Sequence, residues 1–287
     1  MSTACLYVVA TPIGNLQDIT LRALEILKKV DLIAAEDKRH SSKLLQHFGI
    51  DTPLTALHEH NEEARIDYLL QRLKQGESVA LISDAGTPLI SDPGYQLVRA
   101  ARSAGITVSP VPGPSALTAA LCCAGLPSDA FVFAGFLPAK PASRIKKLQG
   151  FLDEQRTMIF YEAPHRIVET LEDMQQVFSA ERQAVIAREM TKTHETFLAD
   201  TLAGLYRQVQ ADSNQQRGEF VILLEGIDRK AAAEEDEVSM KAEAVLQVLL
   251  EELPLKQASS LAAKITGLKK NALYQLGLKQ KENQQEK

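Results

Sequence analysis

The residues best suited to chemistry form one short stretch, Ser83-Asp84-Ala85-Gly86-Thr87-Pro88. Small side chains and a glycine let another molecule approach the backbone, and open main-chain amides can bind a carboxylate or another acceptor. Asp84 adds a carboxylate able to orient an amine or a hydroxyl. An ordinary turn between strand and helix has the same composition, so the stretch gains weight only from its neighbours. Two others share its character, Pro12-Ile13-Gly14 and Pro112-Gly113-Pro114-Ser115. Loops of this kind suit a small polar molecule held mostly by backbone groups. The signatures of several other chemistries are missing. There is no G-x-x-x-x-G-K-[ST] loop, no G-x-G-x-x-G after the first strand, no H-E-x-x-H and no G-x-S-x-G elbow. His58-Glu59-His60 offers two ring nitrogens without a third metal ligand, and reads better as a polar loop.

The elements that must position these loops alternate. Leu6–Ala10 predicts a strand, and Thr20 caps a helix expected to bury Leu21, Leu24, Ile26 and Leu27. A strand over Asp31–Ala35 runs into Glu36-Asp37-Lys38-Arg39-His40, followed by a helix over Ser41–Phe48 and another ending near Lys74. Val79–Ile82 is a short apolar run closed by turn residues, the pattern of a buried strand. Asp92 and Pro93 read as the cap and first turn of a helix over Tyr95–Ala104. A strand at Thr107–Val111 and a helix from Ser115 through Ala124 complete a parallel α/β unit. After Gly125-Leu126-Pro127 the strands crowd together: Phe131–Ala134, Thr157–Tyr161, Ala184–Ala187 and Phe220–Leu224, with helices over Arg144–Glu154 and up to Phe178. This predicts a second, mixed sheet. The expected organisation is an N-terminal α/β domain over 1–124, a second α/β domain over 125–228, a charged linker over 229–238 and a basic helical extension over 239–287.

Composition narrows the class. At 287 residues, 45% hydrophobic and 24% charged, the chain has the make-up of a soluble globular protein with room for two cores. No apolar run is long enough to span a bilayer, and no charged leader precedes an apolar segment. The cysteines, Cys5, Cys122 and Cys123, provide no disulfide framework, which fits a reducing cytoplasm. Charge is uneven. Pro254–Lys287 carries seven Lys against two Glu, a net of +5, which leaves −10 on the rest of a chain whose total is −5. An acidic body with a basic appendage points to a polyanionic partner. Leu255, Ala258, Leu261, Ala262 and Ile265 recur at helical spacing, Gly267 breaks the run, and Leu268, Leu273 and Leu276 mark a second helix with Lys269 and Lys270. Helix, glycine turn and basic helix give a helix-turn-helix outline.

Taken together, Thr11–Thr20, Ala34–His40, Ser83–Gly94 and Val111–Ala116 resemble the tetrapyrrole-methylase superfamily. His58–Asn61, Gly135–Lys140, Phe160–Arg166 and Arg188–Lys192 resemble one branch of it, the bacterial small-subunit (16S) ribosomal RNA (cytidine-2'-O-)methyltransferases. One departure is Lys38, where the pattern carries a smaller Thr. The resemblance implies S-adenosylmethionine as cofactor, folded into the cleft between two α/β domains. It also implies a small ribosomal subunit as partner and a homodimer. Carried over by motif, the cofactor contacts are Ile13 and Gly14, then Asp84, Ala85, Gly86 and Thr87 with Ile90, then Ser115 and Ala116, and from the second domain Tyr161 and Met190.

Methyl transfer to a ribose hydroxyl is an in-line displacement, so the protein's main task is alignment. A hydroxyl is a poor nucleophile, which makes a base or polarising neighbour useful. The strand-end loops offer Glu36, Asp37, His40, Glu162 and His165, and the same residues suit ion pairs such as Glu36 with Arg39 or Glu162 with Arg166. Arg39, Lys140, Arg166, Lys269 and Lys270 are the cations placed to meet RNA phosphates. Two alternatives stay open: a methylase of a small metabolite on the same fold, and an RNA-binding protein without activity.

Overall fold

Short runs of Val, Ile, Leu and Ala bounded by small residues become strands here because helices cover both of their faces. In the computed structural model, which describes residues 4–58, 62–228, 242–250, 252–268, 271 and 273–278, such runs build two five-stranded sheets. The first holds β1 (Cys5–Val9), β2 (Leu32–Ala35), β3 (Leu54–Ala56), β4 (Val79–Ile82) and β5 (Thr107–Val111) in the order β3-β2-β4-β1-β5. Every pairing is parallel. Its helices are α1 (Leu21–Lys29), α2 (Lys38–His47), α3 (Glu62–Lys74), α4 (Tyr95–Ser103) and α5 (Ala116–Cys123). The second sheet holds β6 (Phe131–Phe136), β7 (Thr157–Glu162), β8 (Gln183–Arg188), β9 (Thr196–Thr201) and β10 (Phe220–Leu224), in the order β6-β7-β10-β8-β9. Only β6 and β7 are parallel, so it is mixed, as expected. With it go α6 (Pro141–Gln149), α7 (Ile167–Phe178) and α8 (Leu202–Ala211).

Both sheets belong to one compact unit, Met1–Gly226, and Ile227–Lys287 forms another. Between the sheets lies an apolar seam of Ile13, Leu117, Ala120, Ala124, Ile159, Val185, Ala187, Met190, Val221 and Leu223. Each large aliphatic side chain buried there contributes about 1.5–3 kcal/mol, so the two halves are held as one body. A buried arginine fastens the outer layer of the second half. Arg144 is 1% exposed, with its guanidinium on Asp173 at 2.5 Å, Glu169 at 3.5 Å and the Ala139 carbonyl at 3.4 Å. In the C-terminal unit, α9 (242–250) and α10 (Leu255–Thr266) pack Leu246 against Ala258, Ala262 and Leu273. Gly267 ends α10 in the left-handed region at φ +77°, its N–H on the Ala263 carbonyl.

Several boundaries differ from the sequence expectation for identifiable reasons. The α2 helix starts at Lys38 rather than Ser41, because the Asp37 carboxylate accepts the Arg39 N–H at 2.7 Å and caps it. Pro141 opens α6 ahead of the expected Arg144, and that helix ends at Gln149 rather than Glu154. On α1 the buried residues are Ala23 and Leu27, while Leu21 is 80% exposed. Gly94, not Asp92, stands at the N-cap of α4, and Asp92 is thereby free of a capping role. Edge strands β3 and β9 and helix α8 were not foreseen. The expected linker, Glu59–Asn61, Lys269 and Lys270 lie outside the described residues. Among the described residues no helix is long and apolar enough to cross a membrane.

Candidate active site

Neighbouring strands β4, β1 and β5 end at the same edge of the first sheet, which brings the three small-residue loops together. They are tied to one another rather than left loose. Thr11 and Gly86 exchange main-chain hydrogen bonds at 2.9 and 3.0 Å. The Thr11 hydroxyl donates to the Ser83 carbonyl at 3.2 Å, and the Thr87 hydroxyl donates to the Pro114 carbonyl at 2.9 Å. Gly86 adopts φ +83°, and a Cβ there would meet Ile13 Cγ2 at 3.2 Å. Glycine is therefore favoured by conformation, and a Cβ would also crowd Ile13.

Facing these loops, the second sheet supplies the other wall. A cavity of about 420 Å³ opens between them. Its lining includes Ile13, Asp84, Ala85, Gly86, Thr87, Ile90, Ser115, Ala116, Tyr161 and Met190, which are the predicted cofactor contacts except Gly14. Gly14 lies instead at the joint between the halves: a Cβ there would strike Lys192 and Thr191, and the adjacent Asn15 N–H donates to the Thr191 hydroxyl at 3.1 Å. A second joint is Tyr161, whose hydroxyl oxygen accepts the Leu117 N–H at 3.1 Å. Its ring meets Phe133 and Phe136 edge-on at 4.9 and 5.6 Å. Burial pushes the phenol up to about 12, so it keeps its proton at any working pH. Ser115 sits at the N-cap of α5 without using its hydroxyl as a cap, which leaves that group for the cavity it lines.

Two of the apolar lining residues are aimed by unusual backbone. Ile90 lies between Leu89 at φ +73° and Ser91 at φ +74°, and Met190 between Glu189 at φ +51° and Thr191 at φ +65°. Non-glycine residues reach the left-handed region at a cost of about 1–3 kcal/mol each, and they persist where surroundings hold them. For the second pair the holding groups are plain. The Glu189 carboxylate takes Lys192 Nζ at 2.7 Å and the Glu219 N–H at 2.9 Å, and the Glu195 carboxylate takes the Thr191 N–H at 2.7 Å. No residue type in these stretches signals such geometry.

Of the candidate bases, Glu36 and Glu162 line the cavity, whereas Asp37, His40 and His165 do not. Asp37 spends its carboxylate on the start of α2, and the Arg39 N–H bond holds its pKa below the usual carboxylate range. His40 and His165 are exposed. Glu162 is fully buried and saturated. Its oxygens accept the Ala163 N–H at 2.8 Å and the Thr170 hydroxyl at 2.7 Å, and Arg166 pairs with it at 3.3 Å. Arg166 is spent inside as well, donating to the Leu137 and Pro138 carbonyls at 2.7 and 3.0 Å. Arg39 and Lys140 are exposed. Among the lining residues that sequence reasoning missed are Asp92, Phe136 and Glu219. Asp92 was obscured by the Asp-Pro-Gly pattern, which reads as a helix start. Among the described residues, no three His, Cys, Asp or Glu side chains stand close enough to hold a metal ion.

The chain matches Tetrapyrrole (Corrin/Porphyrin) Methylases over residues 5–206, and the RsmI C-terminal HTH domain over residues 236–281. It is 60% identical over 280 residues to Ribosomal RNA small subunit methyltransferase I of Pseudomonas aeruginosa, covering 97% of this chain and 98% of that one. To the protein of the same name from Escherichia coli O157:H7 it is 53% identical, covering 96% and 95%. Among solved structures, uroporphyrin-III-C-methyltransferase from Thermus thermophilus superposes with a TM-score of 0.55 at 21% identity, covering 77% of this chain and 94% of that one. Diphthine synthase superposes with a TM-score of 0.58 at 17% identity, covering 77% and 90%. These two likenesses are of fold. With the domain match running from β1 into α8 and relatives of high identity over nearly the whole chain beside it, the chain belongs to the tetrapyrrole methylase family, in the group of the small-subunit ribosomal RNA methyltransferase I proteins.

Proposed function

We propose that this protein transfers a methyl group from S-adenosylmethionine to the 2'-hydroxyl of a cytidine in small-subunit (16S) ribosomal RNA. The observation that carries the reading is the cavity itself: nearly every cofactor contact expected from the family motifs meets on its lining. The lining also fits the cofactor's chemistry. Ile13, Ile90, Ala116, Phe136, Tyr161 and Met190 offer apolar surface to a nucleoside, and Glu36 and Asp84 offer negative charge to a cationic ligand. When bound, the cofactor supplies an electrophilic methyl group on a sulfonium.

What the chain's own residues do is hold and exclude. The Asp84–Thr87 loop, pinned through Thr11 and Pro114, would hold the methionyl end, and Ser115 and Ala116 the nucleoside. Tyr161 supplies a ring wall locked in place by Leu117. The apolar seam holds the two walls of the site in a fixed relation, which sets the approach of the reacting groups. The exposed cations Arg39 and Lys140, with the basic helices of the C-terminal unit, would carry the phosphate contacts. The family resemblance adds a homodimer, which sedimentation equilibrium tests, and a cytoplasmic setting.

The experiment is methyl incorporation from labelled S-adenosylmethionine into small ribosomal subunits that lack the modification, followed by nucleoside analysis. A 2'-O-methylcytidine product that disappears with Asp84→Ala supports the reading. Cofactor binding without RNA methylation would turn attention to a small-molecule acceptor.

A further inference from the structure

We propose that Asp92 is the general base that takes the proton from the attacking ribose hydroxyl. The assignment deepens the methyl-transfer reading and rests on it. It begins from the five carboxylates on the cavity wall, of which Glu36 stands beside Asp92 as a like charge and raises its basicity. Glu162 is saturated by Ala163, Thr170 and Arg166. Glu219 is 74% exposed and paired with Lys192 at 3.0 Å. Asp84 Oδ1 accepts the Asp37 N–H at 3.0 Å, which ties the loop after β4 to the end of β2. Asp92 differs from these. It is half-buried and lies on the lining beside Ile90 and Ser91, close to the Ser83 hydroxyl. Among the described residues it caps no helix and pairs with no cation.

The surroundings give Asp92 a base's strength. Facing it are Glu36 from the end of β2, Asp84 and Ser83 after β4, and the Tyr161 phenol from β7. Burial first, then the charges of Glu36 and Asp84, push its carboxyl up to about 7, against the pull of the Ser83 hydroxyl. A base is most useful when its pKa lies near the working pH. The step balances in atoms and charge. The ribose oxygen forms a bond to the methyl carbon as its proton passes to Asp92, and the methyl–sulfur bond breaks with its electron pair staying on sulfur. A carboxylate and a sulfonium thus become a neutral acid and a neutral thioether.

The test uses the full chain with Asp92→Asn and Asp92→Glu. Three quantities are read: the single-turnover rate on undermethylated subunits between about pH 5 and 9, the dissociation constant of S-adenosylmethionine by calorimetry, and the titration of 13C-labelled aspartate carboxyls in the free protein. The expected result has four parts. In the wild type the rate rises with pH through a midpoint near 7 and one carboxyl resonance titrates there. Asp92→Asn loses that resonance and that limb. Its rate falls about 100-fold or more while the dissociation constant changes less than about threefold. Asp92→Glu regains part of the rate. An Asp92→Asn rate within about threefold of an active wild type overturns the assignment, as does survival of the same pH limb. A wild type that binds the methyl donor and leaves RNA unmodified sinks the underlying reading instead, and the assignment goes with it.

Discussion

At Gly86 and Asp92 the same loop system shows two opposite relations between residue type and role. Gly86 is legible from sequence, since only glycine sits at φ +83° without strain. Gly86→Ala is expected to cost about 1–2 kcal/mol and to press on Ile13. Calorimetry should find methyl-donor binding at least about tenfold weaker, with circular dichroism unchanged. Asp92 was not legible, because its surroundings and not its neighbours in sequence make it unusual. Its folded-state pKa is raised to about 7, so its stabilising contribution is full below about pH 4 and is lost as pH rises through 7. Asp92→Asn should therefore match the wild type in urea titrations near pH 4 and exceed it near pH 8, by on the order of 2 kcal/mol after allowance for partial exposure. A variant that gains nothing near pH 8 would show that Asp92 is not held against its charge. More stability with less turnover is the trade expected of a residue kept for chemistry.

At the scale of elements, the buried strands and most helices follow from apolar runs and turn residues, and the loops at their ends follow with them. The failures have physical causes. The three-residue strand β3 and strand β9 lie at sheet edges, where pairing on one side supports sequences with little alternation. Leu89, Ser91, Glu189 and Thr191 hold left-handed backbone through tertiary contacts that no local pattern announces. Arg166 was legible in part, because its pairing with Glu162 was one of the two readings its sequence allowed. Its sequence setting also suggested a phosphate contact, yet its guanidinium joins the end of β7 to the carbonyls of Leu137 and Pro138. Removing it leaves the buried Glu162 carboxylate without its cation, a loss worth about 3 kcal/mol or more. Arg166→Ala should lower the urea midpoint accordingly, while the salt dependence of RNA binding in the folded protein stays as it was. A change in that salt dependence alone, with stability intact, would return Arg166 to the RNA surface.

Across the whole molecule, charge is the property that sequence displayed most directly and that no single element contains. The chain's net −5 conceals +5 over Pro254–Lys287, and an acidic cavity wall is the local form of the opposite excess. These two fields favour different ligands, a cation in the cleft and a polyanion on the helical unit. This division of charge suits the proposed reaction, which takes a positively charged methyl donor and a negatively charged acceptor. Lys256 and Lys264 are exposed on α10, the described helix that carries part of the basic excess. Replacing both with Gln removes two cations and no packing. Each phosphate contact contributes roughly 0.7–0.9 to the slope of log affinity against log salt. The double variant should therefore bind undermethylated subunits with a slope smaller by up to roughly 1.5, and bind S-adenosylmethionine as the wild type does. Filter binding across a salt series measures the first and calorimetry the second. An unchanged slope would remove α10 from the RNA surface and place the phosphate footprint on the acidic body's own exposed cations, Arg39 and Lys140 among them.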